Sequence, residues 1–215
     1  MDFKIKINLI QAEKKKELID LSIPSNWEKD QPKDFMLFPL SSLSEEYIEL
    51  NKRFLTTLPN ATIKNITRIQ NLNLWKNFCF AKHQLVQKGN STQLELFHGT
   101  KKTDPEIIYG GKEEGFDMRF SNQGMWGIGC YFHKNAIYSH GYRYTKDRRT
   151  FIMLVAYVLV GNSKQLQSDS SLRLPPFIEG RNTDRYDSVM SGDGIYIIYN
   201  NQRAYSAYII EYNIL

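Results

Sequence analysis

The residue pair His98-Gly99 is the first feature of this sequence that could do chemistry. Leu94, Leu96 and His98 alternate along the chain like the residues on one face of a strand. A histidine at a strand end can offer a ring nitrogen to a ligand hydroxyl, and a glycine beside it lets a ligand approach the backbone. Taken alone, the pair also fits an ordinary strand-end histidine followed by a turn glycine.

A glycine-rich segment at residues 124–129 leads into a further predicted strand. Its three glycines permit a tight backbone that another group can approach closely. The segment does not match the dinucleotide-binding fingerprint, because no strand-then-helix context surrounds it and its glycine spacing differs. It is not a phosphate-binding loop, because no Lys-Ser or Lys-Thr pair follows. Without further information it is a glycine-rich turn before a strand.

Four tyrosines and one serine lie close together after the glycine-rich segment: Tyr131, Tyr138, Ser139, Tyr142 and Tyr144. Rings this close in sequence can sandwich a flat heteroaromatic ligand, and each well-placed pair is worth roughly 0.5–1.5 kcal/mol beyond area burial. The alternative is a tyrosine-rich surface beside an edge strand. The residue types therefore suggest a site for a flat ligand but do not establish one.

The hydrophobic patterns predict the elements that must position these residues. Ser42 and Glu45 form a candidate capping box before a helix whose apolar residues recur at helical spacing. A β-branched strand at residues 62–70 and a second helix ending near 88–90 follow. Beyond residue 91 the chain is β-rich, with predicted strands at 151–160, 195–199 and 207–212. These patterns predict one α+β domain, with helices in the N-terminal half and then a mostly antiparallel sheet.

Composition excludes several classes of protein. The chain has 215 residues, a length typical of one domain, and its 41% hydrophobic share is enough for a core. The longest apolar run, residues 151–160, is too short to span a bilayer, and the charged first ten residues do not form a signal peptide. We therefore expect no membrane partner. The net charge of +5 permits a phosphate-bearing ligand without requiring one.

Cysteine and histidine usage indicates an intracellular protein without a metal site. The two cysteines, Cys79 and Cys130, fit free thiols in a reducing compartment better than a disulfide. The four histidines and two cysteines lie at scattered spacings that match no zinc pattern. No targeting signal distinguishes cytoplasm from nucleus.

Taken in order, these motifs resemble the catalytic domain of the diphtheria-toxin-like ADP-ribosyltransferases, the poly(ADP-ribose) polymerase family. The resembling stretches are residues 67–75, 96–100, 115–119, 127–132, 136–142, 185–189 and 195–202. The resemblance covers about residues 20–215, after an N-terminal segment at 1–20, and leaves no room for a regulatory helical subdomain. It implies N-terminal helices packed on a split, mostly antiparallel sheet that forms an NAD-binding cleft.

The resemblance also implies roles for individual residues. NAD is the substrate, its nicotinamide leaves from the ribose, and His98, Tyr131 and Ile195 occupy the three catalytic positions. The Gly99 backbone and the Ser139 hydroxyl would bind the nicotinamide amide. Its ring would stack between Tyr131 and a second tyrosine, for which Tyr142 is preferred and Tyr144 is the alternative. The remaining implied NAD contacts are Thr100, Arg119 and Tyr138.

Three departures from the family pattern affect the predicted activity. Poly-forming members have a glutamate where this chain has Ile195, and isoleucine cannot activate the hydroxyl of an incoming ADP-ribose. Asp193 is a weak candidate to replace it. His133 stands where alanine is usual, and Trp126-Gly127-Ile128-Gly129 replaces aromatic-Gly-Lys-Gly.

We therefore expect transfer of single ADP-ribose units to protein acceptors, with automodification included and nucleic-acid ends as minor acceptors. An inactive member that binds NAD or ADP-ribose, or serves as an interaction module, is the alternative. RNA binding would require basic residues beside exposed aromatics, whereas here they are spread along the chain.

Overall fold

A computed structural model describes residues 19–215, so the predicted N-terminal segment at 1–20 lies almost wholly outside the described residues. The helices are α1 (Glu45–Thr57), α2 (Leu72–Gln87), α3 (Pro105–Tyr109) and α4 (Ala136–His140), with 3-10 turns at Met118–Phe120 and Asn201–Arg203. The strands are β1 (Phe35–Pro39), β2 (Ala61–Asn71), β3 (Gln93–His98), β4 (Cys130–His133), β5 (Tyr144–Thr145), β6 (Phe151–Leu159), β7 (Ser163–Gln165), β8 (Ser188–Met190), β9 (Ile195–Ile198) and β10 (Ala204–Ile214).

The strands of the described chain form one sheet in the order β1-β2-β10-β6-β3-β4-β9-β8-β7, and β5 pairs with β6 from outside that path. Neighbours along the sheet are antiparallel except β7 and β8, which are parallel. The prediction of an α+β fold with a mostly antiparallel sheet is confirmed. No helix within residues 19–215 is long and apolar enough to cross a membrane.

The first helix begins two residues later than the capping pattern predicted. Its N-cap is Ser44, whose side-chain oxygen accepts a hydrogen bond from the Tyr47 N–H at 3.2 Å. The prediction of Ser42 as the capping residue is therefore wrong. Ser41, Ser42 and Ser44 are all suitable caps by type, and the turn closed by the Ser44 N–H on the Ser41 carbonyl selects the last of them.

The predicted central strand β6 is buried on both faces between β10 and β3. Met153 and Val155 pack with the apolar faces of α1 and α2, whereas Leu154 and Ala156 point to the opposite face. This alternation explains the nearly continuous apolar run, because both faces of the strand are covered. Helices α1 and α2 therefore cover one face of the sheet, and α3 with the segment after it covers part of the other face.

The sheet narrows at the junction of β3 and β4. These strands share one paired position, Phe97 opposite His133, whereas β3 pairs with β6 over six positions and β4 with β9 over four. The two parts of the sheet therefore separate immediately beyond this pair, which agrees with the predicted split sheet. His98, the last residue of β3, lies at the point of separation.

Candidate active site

A cavity of about 410 Å³ opens where β3 and β4 separate. Its volume is in the range of small-molecule and cofactor sites. Seven of the residues predicted to contact NAD line it: His98, Gly99, Thr100, Tyr131, Tyr138, Ser139 and Tyr142. The charged residues on its wall are Lys101 and Asp117, and most of the remaining lining consists of aromatic rings, backbone and neutral polar side chains. Such a wall suits the flat, polar part of a ligand.

His98 is held across the gap between the separating strands. Its Nδ1 lies 2.7 Å from the carbonyl oxygen of Tyr131, so this nitrogen carries the proton and donates it. The ring meets Phe116 edge-on, with centroids 5.1 Å apart, and lies 5.3 Å from Phe132. Burial lowers the pKa of His98 to about 4. The imidazole is therefore neutral near pH 7, and Nε2 is left as an acceptor for a ligand hydroxyl.

Gly99 is a position where a side chain would not fit. A Cβ there would overlap the carbonyl oxygens of Tyr142 and Ser139, the latter at 2.5 Å. Two residues further along the chain, the Lys101 N–H donates a hydrogen bond to the Tyr142 carbonyl at 2.7 Å and fixes this close approach. The strand end of β3 and the turn after α4 are thus in backbone contact, and only glycine permits it.

Tyr131 connects the cavity to the glycine-rich segment. Its hydroxyl accepts a hydrogen bond from the Trp126 N–H and donates one to the Gly127 carbonyl, both at 2.9 Å. A Cβ on Gly124 would lie 2.6 Å from the same hydroxyl oxygen. The glycines therefore allow the segment to fold directly over the ring, and burial raises the pKa of the Tyr131 phenol.

Helix α4 supplies the opposite wall. Ser139 is buried, and its hydroxyl donates to the Phe97 carbonyl at 3.1 Å, which leaves the oxygen's lone pairs for an amide N–H. The Tyr142 N–H donates to the Ser139 carbonyl at 2.9 Å, so Tyr142 is carried on the turn that ends the helix. Its side chain is 43% exposed at the cavity rim, with the Lys101 ammonium 5.1 Å from the ring centroid.

Two predicted NAD contacts, Arg119 and Tyr144, do not line this cavity. The Arg119 guanidinium forms a forked ion pair with Asp117, at 2.6 Å for the Nη2 contact, and its side chain remains 77% exposed. Tyr144 lies in β5, opposite Ile152 of β6, and packs against the core on that face of the sheet. Strand pairing thus removes Tyr144 from the position that Tyr142 occupies.

Ile195 is also outside the cavity wall. It is 3% exposed and packs in an apolar cluster with Trp126, Val189, Ile197 and Tyr199. Tyr131 and Tyr138 pack against this cluster as partly buried members. Ile195 therefore lies beneath two residues of the cavity and presents no polar group to it.

Sequence reasoning missed several residues that shape the site. Phe116 and Phe132 surround the His98 ring, and Phe120 and Met125 are exposed apolar residues on the rim. The signal for Phe116 was present, since it lies in the resembling stretch 115–119. No local pattern indicated that it would contact His98, because the contact joins residues eighteen positions apart in sequence.

Among residues 19–215, no group of three or more His, Cys, Asp or Glu side chains could hold a metal ion. The chain matches the family described as Poly(ADP-ribose) polymerase catalytic domain over residues 44–178. This match includes β3, the glycine-rich segment and α4, which together build the cavity. The chain belongs to this family. His98 and Tyr131 lie within the matched residues, and Ile195 lies beyond them.

Three relatives illustrate the similarity. A probable poly(ADP-ribose) polymerase of Dictyostelium discoideum is 34% identical over 201 residues, which cover 88% of this chain and 57% of that protein. The human protein mono-ADP-ribosyltransferase PARP12 is 35% identical over 201 residues, which cover 89% of this chain and 28% of that protein. The mouse protein mono-ADP-ribosyltransferase PARP11 is 30% identical over 223 residues, which cover 90% of this chain and 65% of that protein. The chain thus spans less than two thirds of each of these family members.

Gly99→Ala should abolish nicotinamide binding. The added Cβ would overlap the Tyr142 and Ser139 carbonyl oxygens and separate the β3 end from the turn after α4, so the Gly99 backbone and the Ser139 hydroxyl could no longer bind one carboxamide together. Calorimetric titration with nicotinamide measures the effect. Gly192→Ala is the matched control, since its Cβ would approach only the flexible Gln165 side-chain amide, at 3.2 Å. Wild-type affinity in Gly99→Ala would show that the close approach does not matter.

His98 should make the stability of the protein depend on pH. Its folded-state pKa of about 4 is below the value of about 6.5 expected in the unfolded chain. Between these values the unfolded chain binds more protons, so the stability due to neutral His98 is complete above pH 6.5 and is lost as the pH falls through about 4.

Urea unfolding at pH 7 and pH 5 tests this dependence. The free energy of unfolding should fall less in His98→Gln, which cannot titrate, than in the wild type. An equal fall in both proteins would mean that His98 has an ordinary pKa in the folded state.

Proposed function

We propose that this chain transfers a single ADP-ribose unit from NAD to protein acceptors and releases nicotinamide. The observation that carries the proposal is the cavity itself. It brings His98, Gly99, Tyr131, Ser139 and Tyr142 together from three separate parts of the chain. The family assignment supports NAD as the substrate. Two of the relatives described above are named mono-ADP-ribosyltransferases.

The arrangement around Ser139 suits the nicotinamide group. The ring would lie between Tyr131 and Tyr142, as flat aromatic groups do between offset rings. The Gly99 backbone, unobstructed by a side chain, and the Ser139 oxygen can then hydrogen-bond the carboxamide. Neutral His98 would accept a hydrogen bond from a ribose hydroxyl at Nε2 and so orient the sugar.

The proposed site holds the nicotinamide and the ribose separately, on either side of the bond that breaks. Loss of nicotinamide gives a ribose with oxocarbenium character, and the barrier falls when the leaving group and the sugar are held in the reactive geometry. No side chain of the described cavity has to form a covalent bond to the substrate. The acceptor nucleophile attacks the ribose carbon from which nicotinamide departs.

Ile195 supports transfer of single units. A carboxylate at this position could activate the hydroxyl of an attached ADP-ribose for elongation, and isoleucine cannot. Asp193 does not line the cavity; its carboxylate lies at the turn before β9 and is paired with the Ser191 hydroxyl, which lowers its pKa. The Dictyostelium relative is named a polymerase. The proposal of mono-transfer therefore rests on Ile195 together with the two relatives named mono-ADP-ribosyltransferases.

Protein side chains are the acceptors we propose, the chain itself among them, with nucleic-acid ends as a second acceptor class. An acceptor carboxylate needs no activation, because it is already ionised near pH 7. This property fits a site in which the third catalytic position is apolar.

Incubation with labelled NAD followed by gel separation tests the proposed function. The wild type should give a discrete labelled band, and His98→Ala should reduce label at least about a hundredfold while the protein stays folded, as thermal melting checks. A ladder would contradict mono-transfer. No label, with nicotinamide still bound, would favour the alternative of a binding module. Near-wild-type label in His98→Ala would show that the site is wrongly assigned.

Ile195→Glu should not create a polymerase. The new carboxyl would be placed among Trp126, Val189 and Ile197, where burial raises its pKa and favours the neutral form. We expect a loss of stability of roughly 3 kcal/mol and products that remain single units. Product length and urea unfolding measure both effects. Ile195→Val is the matched control, and long chains from Ile195→Glu would show that the missing carboxylate was the only barrier to elongation.

A further inference from the structure

His133 is a buried histidine directly beside the cavity but outside its wall. It is the last residue of β4 and pairs across the sheet with Phe97 on one side and Ile195 on the other. Its ring stacks on the ring of Tyr138, with centroids 4.4 Å apart and an angle of 16° between the planes. Tyr138 does line the cavity. His133 therefore contacts the proposed nicotinamide site through another residue.

The same histidine fixes the start of α4. The Asn135 N–H donates to His133 Nδ1 at 2.8 Å, and the Asn135 side chain makes no capping hydrogen bond of its own. Helix α4 has five residues, too few to be stable by propensity alone. Its orientation must come from tertiary contacts, and His133 supplies one at the backbone and one at the Tyr138 ring.

These contacts continue to the rim of the cavity as a row of rings. The Tyr138 ring lies 5.7 Å from the Tyr142 ring, at 35°, and the Lys101 ammonium lies 5.1 Å from the far ring. Since Tyr138 is held on one face by His133, it can form a fixed lateral wall for Tyr142. The row therefore links β4 to Tyr142, the more exposed of the two tyrosines that we propose to stack on nicotinamide.

The surroundings keep His133 able to accept this hydrogen bond. Burial lowers the pKa of its imidazole, and the nearby Lys134 ammonium acts in the same direction. The Asp193 carboxylate and its backbone, and the Asn135 backbone, oppose them. The net pKa lies below the usual value, so near pH 7 the ring is neutral. Nδ1 lies 2.8 Å from the Asn135 nitrogen and 3.2 Å from the Asn135 carbonyl oxygen, and the shorter contact assigns the Nδ1 lone pair to the Asn135 N–H.

We propose that His133 is a positioning residue of the nicotinamide site, acting through Tyr138 and the start of α4 on the placement of Tyr142. The proposal rests on the site assigned under the proposed function. It does not require that transfer occurs, because nicotinamide binding alone reports on the placement of Tyr142. His133 touches no part of the proposed substrate and is not a catalytic residue.

Calorimetric titration of the 215-residue chain with nicotinamide tests the proposal. His133→Ala removes both the stacking and the hydrogen bond, and should weaken nicotinamide binding about tenfold. His133→Asn keeps an acceptor for the Asn135 N–H, and His133→Phe keeps a ring against Tyr138. Each should weaken binding about threefold. His83→Ala, a histidine on α2 outside the cavity, is the matched control and should leave the affinity unchanged.

A double-mutant cycle with Tyr138→Leu separates positioning from a general loss of structure. If His133 acts through Tyr138 and the start of α4, then in the Tyr138→Leu background His133→Ala should weaken binding only about threefold, which is the part due to the Asn135 hydrogen bond. Tenfold weakening in that background would overturn the proposal, and so would a wild-type affinity in His133→Ala. Thermal melting checks that each variant is folded. If His133→Ala does not fold, the same cycle with His133→Asn and His133→Phe gives the decision.

The two proposals fail in different ways. A protein that binds nicotinamide with the expected pattern across the variants, yet labels no acceptor, would refute the transferase function and support the role of His133. A protein that transfers label while every His133 variant binds nicotinamide like the wild type would support the function and refute this inference. A wild type that binds no nicotinamide would overturn the role of His133 along with the site.

Discussion

The pairing of β3 with β4 through Phe97 and His133 is the constraint on which the site depends. A continuous ladder here would close the sheet and leave no cavity between its two parts. Beyond the pair, a side chain replaces the ladder, because His98 Nδ1 donates to the Tyr131 carbonyl at 2.7 Å. The predicted catalytic histidine therefore also bridges the two strands that separate to form the cavity, and its protonated nitrogen is fixed by that bridge.

The two residues of this pair also hold the short helix that forms the far wall. The Phe97 carbonyl accepts the Ser139 hydroxyl, and His133 stacks on Tyr138 and accepts the Asn135 N–H. Both parts of the sheet thus contribute to the placement of α4. The absence of a side chain at Gly99 then lets the turn after α4 approach the end of β3. A helix of five residues can carry a binding site only because its surroundings fix it in this way.

The third predicted catalytic position has a different character from the first two. His98 and Tyr131 each use one polar atom to hold the backbone of a neighbouring segment, whereas Ile195 contributes only apolar packing beneath Tyr131 and Tyr138. The site can therefore position a substrate on one side, but offers no carboxylate at Ile195 to activate an acceptor. Substrate placement rather than acid–base chemistry is the strength of this arrangement.

The sequence by itself determined the α+β class, the central strand β6 and the motifs around His98, Tyr131 and Ser139, because these depend on local periodicity and residue type. It left the choice between Tyr142 and Tyr144 open, since both follow Ser139 within five positions. Tertiary structure places only Tyr142 in the cavity, because β5 pairs Tyr144 with Ile152. Arg119 likewise contacts Asp117 instead of the cavity, and His133 became important only when folding brought its ring onto Tyr138. These outcomes depend on strand register and on contacts between distant segments, which no local pattern encodes.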